Sequence, residues 1–140
     1  MNKNILLISS ILILFAALNT VYAKSSTMGA DSAFRQEGNL IFISGQGAGS
    51  VKTNKNSRAQ IEDAFKKLQA TANAAGGELN DVIKVTVYLT DLSADYSALN
   101  DVTREYFKKP FPARSTVGVA SLPKDHRIEV DAVMVVKSQH

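Results

Sequence analysis

Cysteine is absent from the 140 residues of this chain, histidine occurs twice, and the only prolines are Pro110, Pro112 and Pro123. Without cysteine there are no disulfides, so stability must come from packing or from the association of copies. Thiolate zinc sites are excluded for the same reason. His126 and the terminal His140 are the only imidazoles, too few for a histidine metal centre, so no metal is expected. Concentrated positive charge is lacking too. The formal net charge is +3, and the nearest approach to a basic cluster is the sparse trio Lys52, Lys55 and Arg58. That is a solvated surface and not a nucleic-acid stripe. No linker, repeat or low-complexity run divides the chain.

Long hydrophobic runs are also missing. The longest, Ile5 to Leu18, has 14 residues, short of the roughly 20 that a membrane-spanning helix needs. Lys3 precedes it in a short polar head, and Val21-Tyr22-Ala23 closes it with a small-residue cleavage pattern. This is the layout of a secretory signal peptide over residues 1–23. Without a cysteine after it, a lipoprotein anchor is excluded. The expectation is an exported protein, periplasmic or secreted, that has no membrane attachment once cleaved near Ala23. The mature chain is then a single domain over residues 24–140, 117 residues long with a net charge of +2 after the loss of Lys3. A chain of that length can bury about two-thirds of its unfolded surface around one core.

What is present reads as alternating strands and helices. A strand is expected near Ala33–Gln36 and another over Asn39–Ser44, where LIFI is a short apolar run between turn signals. It ends in SGQGAGS. Gly45, Gly47 and Gly49 do not fit a dinucleotide loop, because no helix opens directly on them. They read as a turn that lets something approach the backbone. Ser57-Arg-Ala-Gln60 has the form of a capping box. The helix after it shows Ile61, Phe65, Leu68, Ala72 and Ala75 on one face and stops at Gly76-Gly77. Lys84–Thr90 alternates as a half-buried strand. Asp91 or Ser93 caps a second helix, with Tyr96, Leu99, Val102 or Thr103, and Tyr106 on its apolar face. Pro110 and Pro112 end that helix and launch the strand Ser115–Ser121. A final strand, Arg127–Val136, puts Ile128, Val130, Ala132, Met134 and Val136 on one face. The class is α+β, two helices on one face of a mixed sheet.

Two residues resist this scheme. Arg114 stands at the mouth of a strand with no acid within eight residues, and Glu129 interrupts the last strand. Paired as an antiparallel hairpin about Lys124, the last two strands would place them five rungs apart, roughly 16 Å. A four-carbon substrate cannot span that within one chain. Either the two residues serve different purposes, or a neighbouring subunit brings them together.

SGQ after the first strands, KVTVYLTD before the second helix, Asn100 within it, and PARS followed by SLPKDHRIEVDA together resemble the RidA/YjgF family. The resemblance covers roughly residues 38–136, and its most specific part is PARS with the glutamate of IEV 15 residues after its arginine. It implies a chorismate-mutase-like fold, a homotrimer, and active sites in the clefts between subunits. The branch that keeps both arginine and glutamate is similar to enzymes that hydrolyse small 2-imino acids, 2-iminobutanoate and 2-iminopropanoate, to 2-keto acids and ammonia. Arg114 would then hold the substrate carboxylate with its planar fork. Glu129 would handle the attacking water and the protons. Ser44, Gly45, Asn100 and Thr116 would line the substrate site. An imine carbon is already electrophilic, so the reaction needs no cofactor.

The sequence also departs from the family pattern. Where many members carry a tyrosine in a PYS-like stretch, this chain has GADSAFRQEGN, with Asp31 or Phe34 near that position. Thr116 stands where relatives often have cysteine. Both bear on substrate range more than on reaction type. The competing expectation is a non-catalytic trimer that binds small carboxylates, or a chaperone-like stress protein. A ribonuclease role, ascribed to some relatives, fits poorly with export and a surface lacking a basic stripe.

Overall fold

The computed structural model describes residues 27–28, 31–48 and 56–137. The leader expected over residues 1–23, Gly49 and His140 lie outside them. Seven strands and two helices follow in the order β1 (Thr27–Met28), β2 (Asp31–Ser32), β3 (Phe34–Glu37), β4 (Leu40–Gly47), α1 (Ser57–Ala74), β5 (Val82–Leu89), α2 (Leu92–Tyr106), β6 (Ala113–Gly118) and β7 (Ile128–Val135). β1 and β2 form a small ribbon, and the other five strands form one sheet in the order β3-β4-β7-β5-β6. β5 and β6 run parallel, with α2 as the crossover; every other pairing is antiparallel. This is the mixed α+β sheet with both helices on one face that the patterning predicts.

The expected hairpin of the last two strands does not form. β6 pairs with β5 alone and lies at the sheet edge, while β7 enters between β4 and β5. The reason is burial. Ile128, Val130, Ala132 and Met134 are all buried on β7, and a strand with so regular an apolar face gains most in the sheet centre. There it completes the ladders of two neighbours instead of one. Its partners on the helix side are Ile41 and Ile43 of β4 and Val85, Val87 and Leu89 of β5. All five are buried.

The helix boundaries follow local chemistry. Asn56, in extended conformation, caps α1 by accepting the amide of Ala59 on its side chain. Ser57, expected as the cap, lies inside the first turn, and its hydroxyl donates to Asp95. At the other end Gly76 takes φ +91°, and the amides of Gly76 and Gly77 close back on Asn73 and Ala72. That left-handed turn is what the glycine pair provides. Asp91 caps α2 by accepting the amide of Ala94. Phe65 of α1 packs edge-on against Tyr106 and Phe107, with centroids 5.5 and 6.0 Å away, tying the two helices together.

α2 corrects one expectation. Tyr96, placed on the apolar face by spacing, is 46% exposed, whereas Asp95 beside it is fully buried. Asp95 takes the inward position because it is satisfied there. It accepts from Arg127 Nε at 2.6 Å and from Ser57, so one carboxylate joins α1, α2 and the start of β7. Removing one partner of a buried ion pair strands the other. Asp95→Ala is therefore expected to lower unfolding stability by about 3 kcal/mol, the low end because Arg127 retains Asp91 at 3.7 Å. An unchanged urea midpoint would show that this junction contributes nothing.

Candidate active site

Arg114 lies on edge strand β6 opposite Val85, so its side chain leaves the sheet on the helix side. There α2 receives it. Nη2 donates to Asn100 Oδ1 at 2.7 Å and Nη1 to Thr103 Oγ1 at 3.2 Å. The Thr103 hydroxyl donates in turn to the Leu99 carbonyl at 2.7 Å, which fixes its lone pairs toward the arginine. The guanidinium carbon also lies 5.8 Å from the Tyr96 ring centroid, within cation–π range. A guanidinium has five N–H donors. Among the described residues two are used, leaving Nε–H and one hydrogen on each terminal nitrogen for an anion. Thr116 opposes Val87 and stands on the same side of β6 as Arg114, two residues along.

Glu129 lies elsewhere. It is paired with Tyr88 of β5 and Gly47 of β4, on the sheet face turned away from the helices. Tyr88 on that face donates to Asp131 Oδ2 at 3.0 Å. That hydrogen bond, with the carboxylate's charge behind it, holds the phenol above its usual range. The Glu129 side chain extends across β4 and rests against Gly45, where a Cβ would overlap its carboxylate. Gly45 sits in a β-bulge, since β4 advances three residues from Ile43 to Gln46 while β7 advances two, from Ala132 to Val130. The glycine segment expected to be a loop is thus strand through Gly47. The extra residue is left unpaired and pairing with β7 resumes at Gln46, and the absent side chain at Gly45 leaves room for Glu129. Something does approach this backbone, and it is the chain's own Glu129.

Ser44 precedes the bulge. Its amide donates to the Ala33 carbonyl at 3.0 Å and its hydroxyl to the Ser32 carbonyl at 2.6 Å, so only the oxygen's lone pairs remain for a ligand. Ser44, Gly45, Gly47, Lys67, His126 and Glu129 all line an open cleft of about 1250 Å³. Arg114, Asn100 and Thr116 are not among its walls. Phe34, from the segment that stands where relatives have the PYS-like stretch, is only 4% exposed but is among the residues lining the cleft; it has no hydroxyl to match a tyrosine's. The side chain of Asp31 lies outside the described residues. Among the described residues, no three acidic or histidine side chains cluster as metal ligands.

The site residues named from sequence therefore form two groups. Arg114, Asn100 and Thr116 stand on the helix side of the β6 edge. Ser44, Gly45 and Glu129 stand together on the opposite side of the sheet. Through β5, Arg114 aligns with Val85 and Glu129 with Tyr88, three residues apart and two strands across. That is about 14 Å between Cα atoms, with the side chains on opposite faces. The hairpin register was wrong, yet the separation it implied stands. Sequence reasoning missed Thr103 as a partner of Arg114 and missed His126 and Lys67 in the cleft. Tyr96, Asn100 and Thr103 recur at steps of four and three, one position beyond the buried Asp95, Leu99 and Val102. That second stripe was the available signal.

A model of the family described as endoribonuclease L-PSP matches residues 24–136. The 2-iminobutanoate/2-iminopropanoate deaminase of Dermatophagoides farinae is 42% identical over 106 residues, covering 73% of this chain and 82% of that protein. RidA from an Antarctic Psychrobacter has a TM-score of 0.72 at 37% identity, over 80% of this chain and 93% of that one. Escherichia coli TdcF, solved with bound serine, gives 0.70 at 31% identity over 81% and 93%. The match spans nearly all the described residues, and the chain belongs to the endoribonuclease L-PSP family, that of RidA and YjgF.

Proposed function

We propose that the chain is a hydrolytic deaminase of small 2-imino acids, acting as a homotrimer with each site completed by two neighbouring subunits. The observation that carries this reading is the split site. An arginine with three unused N–H groups stands at a sheet edge, and a carboxylate over a glycine bulge stands on the other face. Neither half suffices for hydrolysis of a charged imine. A second copy that laid its open sheet face near the β6 edge would bring Arg114 of one subunit toward Glu129 of the next. The open face offers apolar surface for such a contact, with Phe42 47% and Val117 42% exposed.

In the assembled site, Arg114 holds the carboxylate of the imino acid bidentately, braced by Asn100 and Thr103. Thr116 adds a hydroxyl beside it. Glu129 takes a proton from water as the water oxygen bonds to C2 and the C=N electron pair moves onto nitrogen. Glu129 returns that proton to the nitrogen, giving the neutral carbinolamine. Glu129 then takes the hydroxyl proton and passes it to the same nitrogen as the C–N bond breaks. The O–H electron pair forms the keto C=O, and neutral ammonia leaves. Ser44 and the backbone at Gly45 line the water side. The name carried by the mite relative, deaminase of 2-iminobutanoate and 2-iminopropanoate, supports this substrate class.

Export belongs to the same proposal: residues 1–23 are removed and the trimer works outside the cytoplasm. There an amino-acid oxidase or dehydrogenase would have to supply the imine. The test uses the chain from Lys24. An amino-acid oxidase generates 2-iminobutanoate or 2-iminopropanoate in situ, and semicarbazide traps the imine. Added protein is expected to divert the imine to keto acid and lower the semicarbazone yield. No diversion by a folded trimer would reject the deaminase and leave a carboxylate binder, detectable as thermal stabilisation by small acids.

A further inference from the structure

His126 is not used by the reaction as described above, yet it enters the same cleft as Glu129. Two consecutive left-handed residues precede it, Lys124 at φ +57° and Asp125 at φ +56°. Neither is a glycine, so the turn holds a conformation that costs side-chain-bearing residues free energy. The turn delivers the imidazole onto Gly47, where a Cβ would overlap its Nδ1. Glu129 lies against Gly45 in the same manner. The two glycines carry the two side chains in parallel, about 7 Å apart along β4. Both side chains line the same open cleft, which water can enter.

The ring has two different environments. Nδ1 is buried and has no hydrogen-bond partner among the described residues. It points at the Gly47 Cα–H, a weak donor that suits a lone pair and would clash with an N–H. Nε2 likewise has no partner among the described residues, and unlike Nδ1 it is not a buried atom; on a residue that lines the cleft, it is the nitrogen open to water. A neutral imidazole has one N–H and one lone pair. Here the lone pair belongs on Nδ1 and the proton on Nε2.

We infer that His126, as the Nε2–H tautomer, holds the nucleophilic water by donating to it while Glu129 accepts the water's proton. This rests on the deaminase reading. Water so held donates to Glu129, accepts from His126, and keeps its second lone pair for C2. The charge environment favours the neutral ring. Burial lowers the His126 pKa most, followed by Lys67 of α1 and Lys124 of the turn, against smaller opposing effects from Glu129 and Asp63. Protonation would force an N–H onto the Gly47 Cα–H, so the held geometry is lost as pH falls through the lowered pKa.

Two measurements test this. Nitrogen-15 NMR of the whole mature protein should find Nδ1 pyridine-like and Nε2 pyrrole-like; the reverse assignment would overturn the inference. In steady-state assays His126→Phe should lower kcat about tenfold, the effect of one lost hydrogen bond, with KM and thermal midpoint unchanged. Gly47→Ala should do the same by displacing an intact ring. His126→Gln, a donor that does not titrate, should keep most of kcat and lose the acidic limb of the pH profile that His126 imposes. Turnover indifferent to His126→Phe and Gly47→Ala would reject the role alone. Absence of turnover in the unsubstituted protein would reject the deaminase reading and the role with it.

Discussion

Arg114→Ala is expected to lose at least about 100-fold in kcat/KM for 2-iminopropanoate, while the protein still folds and assembles. The size follows from the carboxylate that the side chain is proposed to hold. A bidentate, charge-assisted pair with a carboxylate contributes more than a neutral hydrogen bond, and Lys84, which also reaches β6, is engaged with Ser115 at 2.6 Å on the opposite face of the strand. Folding should survive because Arg114 is at an edge strand, and its partners Asn100 and Thr103 are only part-buried and can turn to water. Arg114→Lys should fall between the two proteins. A lysine keeps the charge but cannot satisfy Asn100, Thr103 and a carboxylate at once with one ammonium. The measurement is initial rate in the oxidase-coupled assay, with size-exclusion chromatography to verify assembly. Activity within threefold of the unsubstituted protein would remove Arg114 from the site.

Much of this was legible in the sequence, and the parts that were not have physical reasons. The strict alternation of VTVYL and IEVDAVMV gave two strands with the correct inward faces, because period-two burial depends only on neighbours along the chain. The glycine stop of α1 was readable for the same reason. Strand order was not. β7 between β4 and β5 is decided by which ladders remain open after two βα units have formed, and local pattern carries none of that. Asp95 and Tyr96 exchanged their expected places because a buried carboxylate is acceptable only if Arg127 reaches it, a long-range fact. The bulge at Gly45 was hidden likewise, since the Glu129 side chain that fills the space a Cβ there would need belongs to another strand. Arg114 and Glu129 were conspicuous precursors of a site because each broke a pattern. His126 broke none, being in a turn, and its orphan nitrogen is visible only in three dimensions.

If the two faces of the sheet carry different halves of one site, as proposed, two inactive proteins should make an active one. Arg114→Ala and Glu129→Gln chains, each nearly inactive alone, are expected to regain about a quarter of the unsubstituted activity when unfolded together in equal amounts and refolded into mixed trimers. In a site shared by two subunits, Arg114 is intact with a chance of one half, and Glu129 of the neighbour is intact with a chance of one half. Both are intact in one site of four. If instead one chain supplied both residues, every site would carry one defect and mixing would restore nothing. The roughly 14 Å separation on opposite faces favours the shared site. The control is a mixture assembled from separately folded trimers, which should stay inactive until subunits exchange. Recovery that follows exchange would establish the shared site, and its absence from verified mixed trimers would return both residues to a single chain. The same mixing locates the other residues. Thr103→Val should complement Glu129→Gln but not Arg114→Ala, because Thr103 and Arg114 belong to the same half.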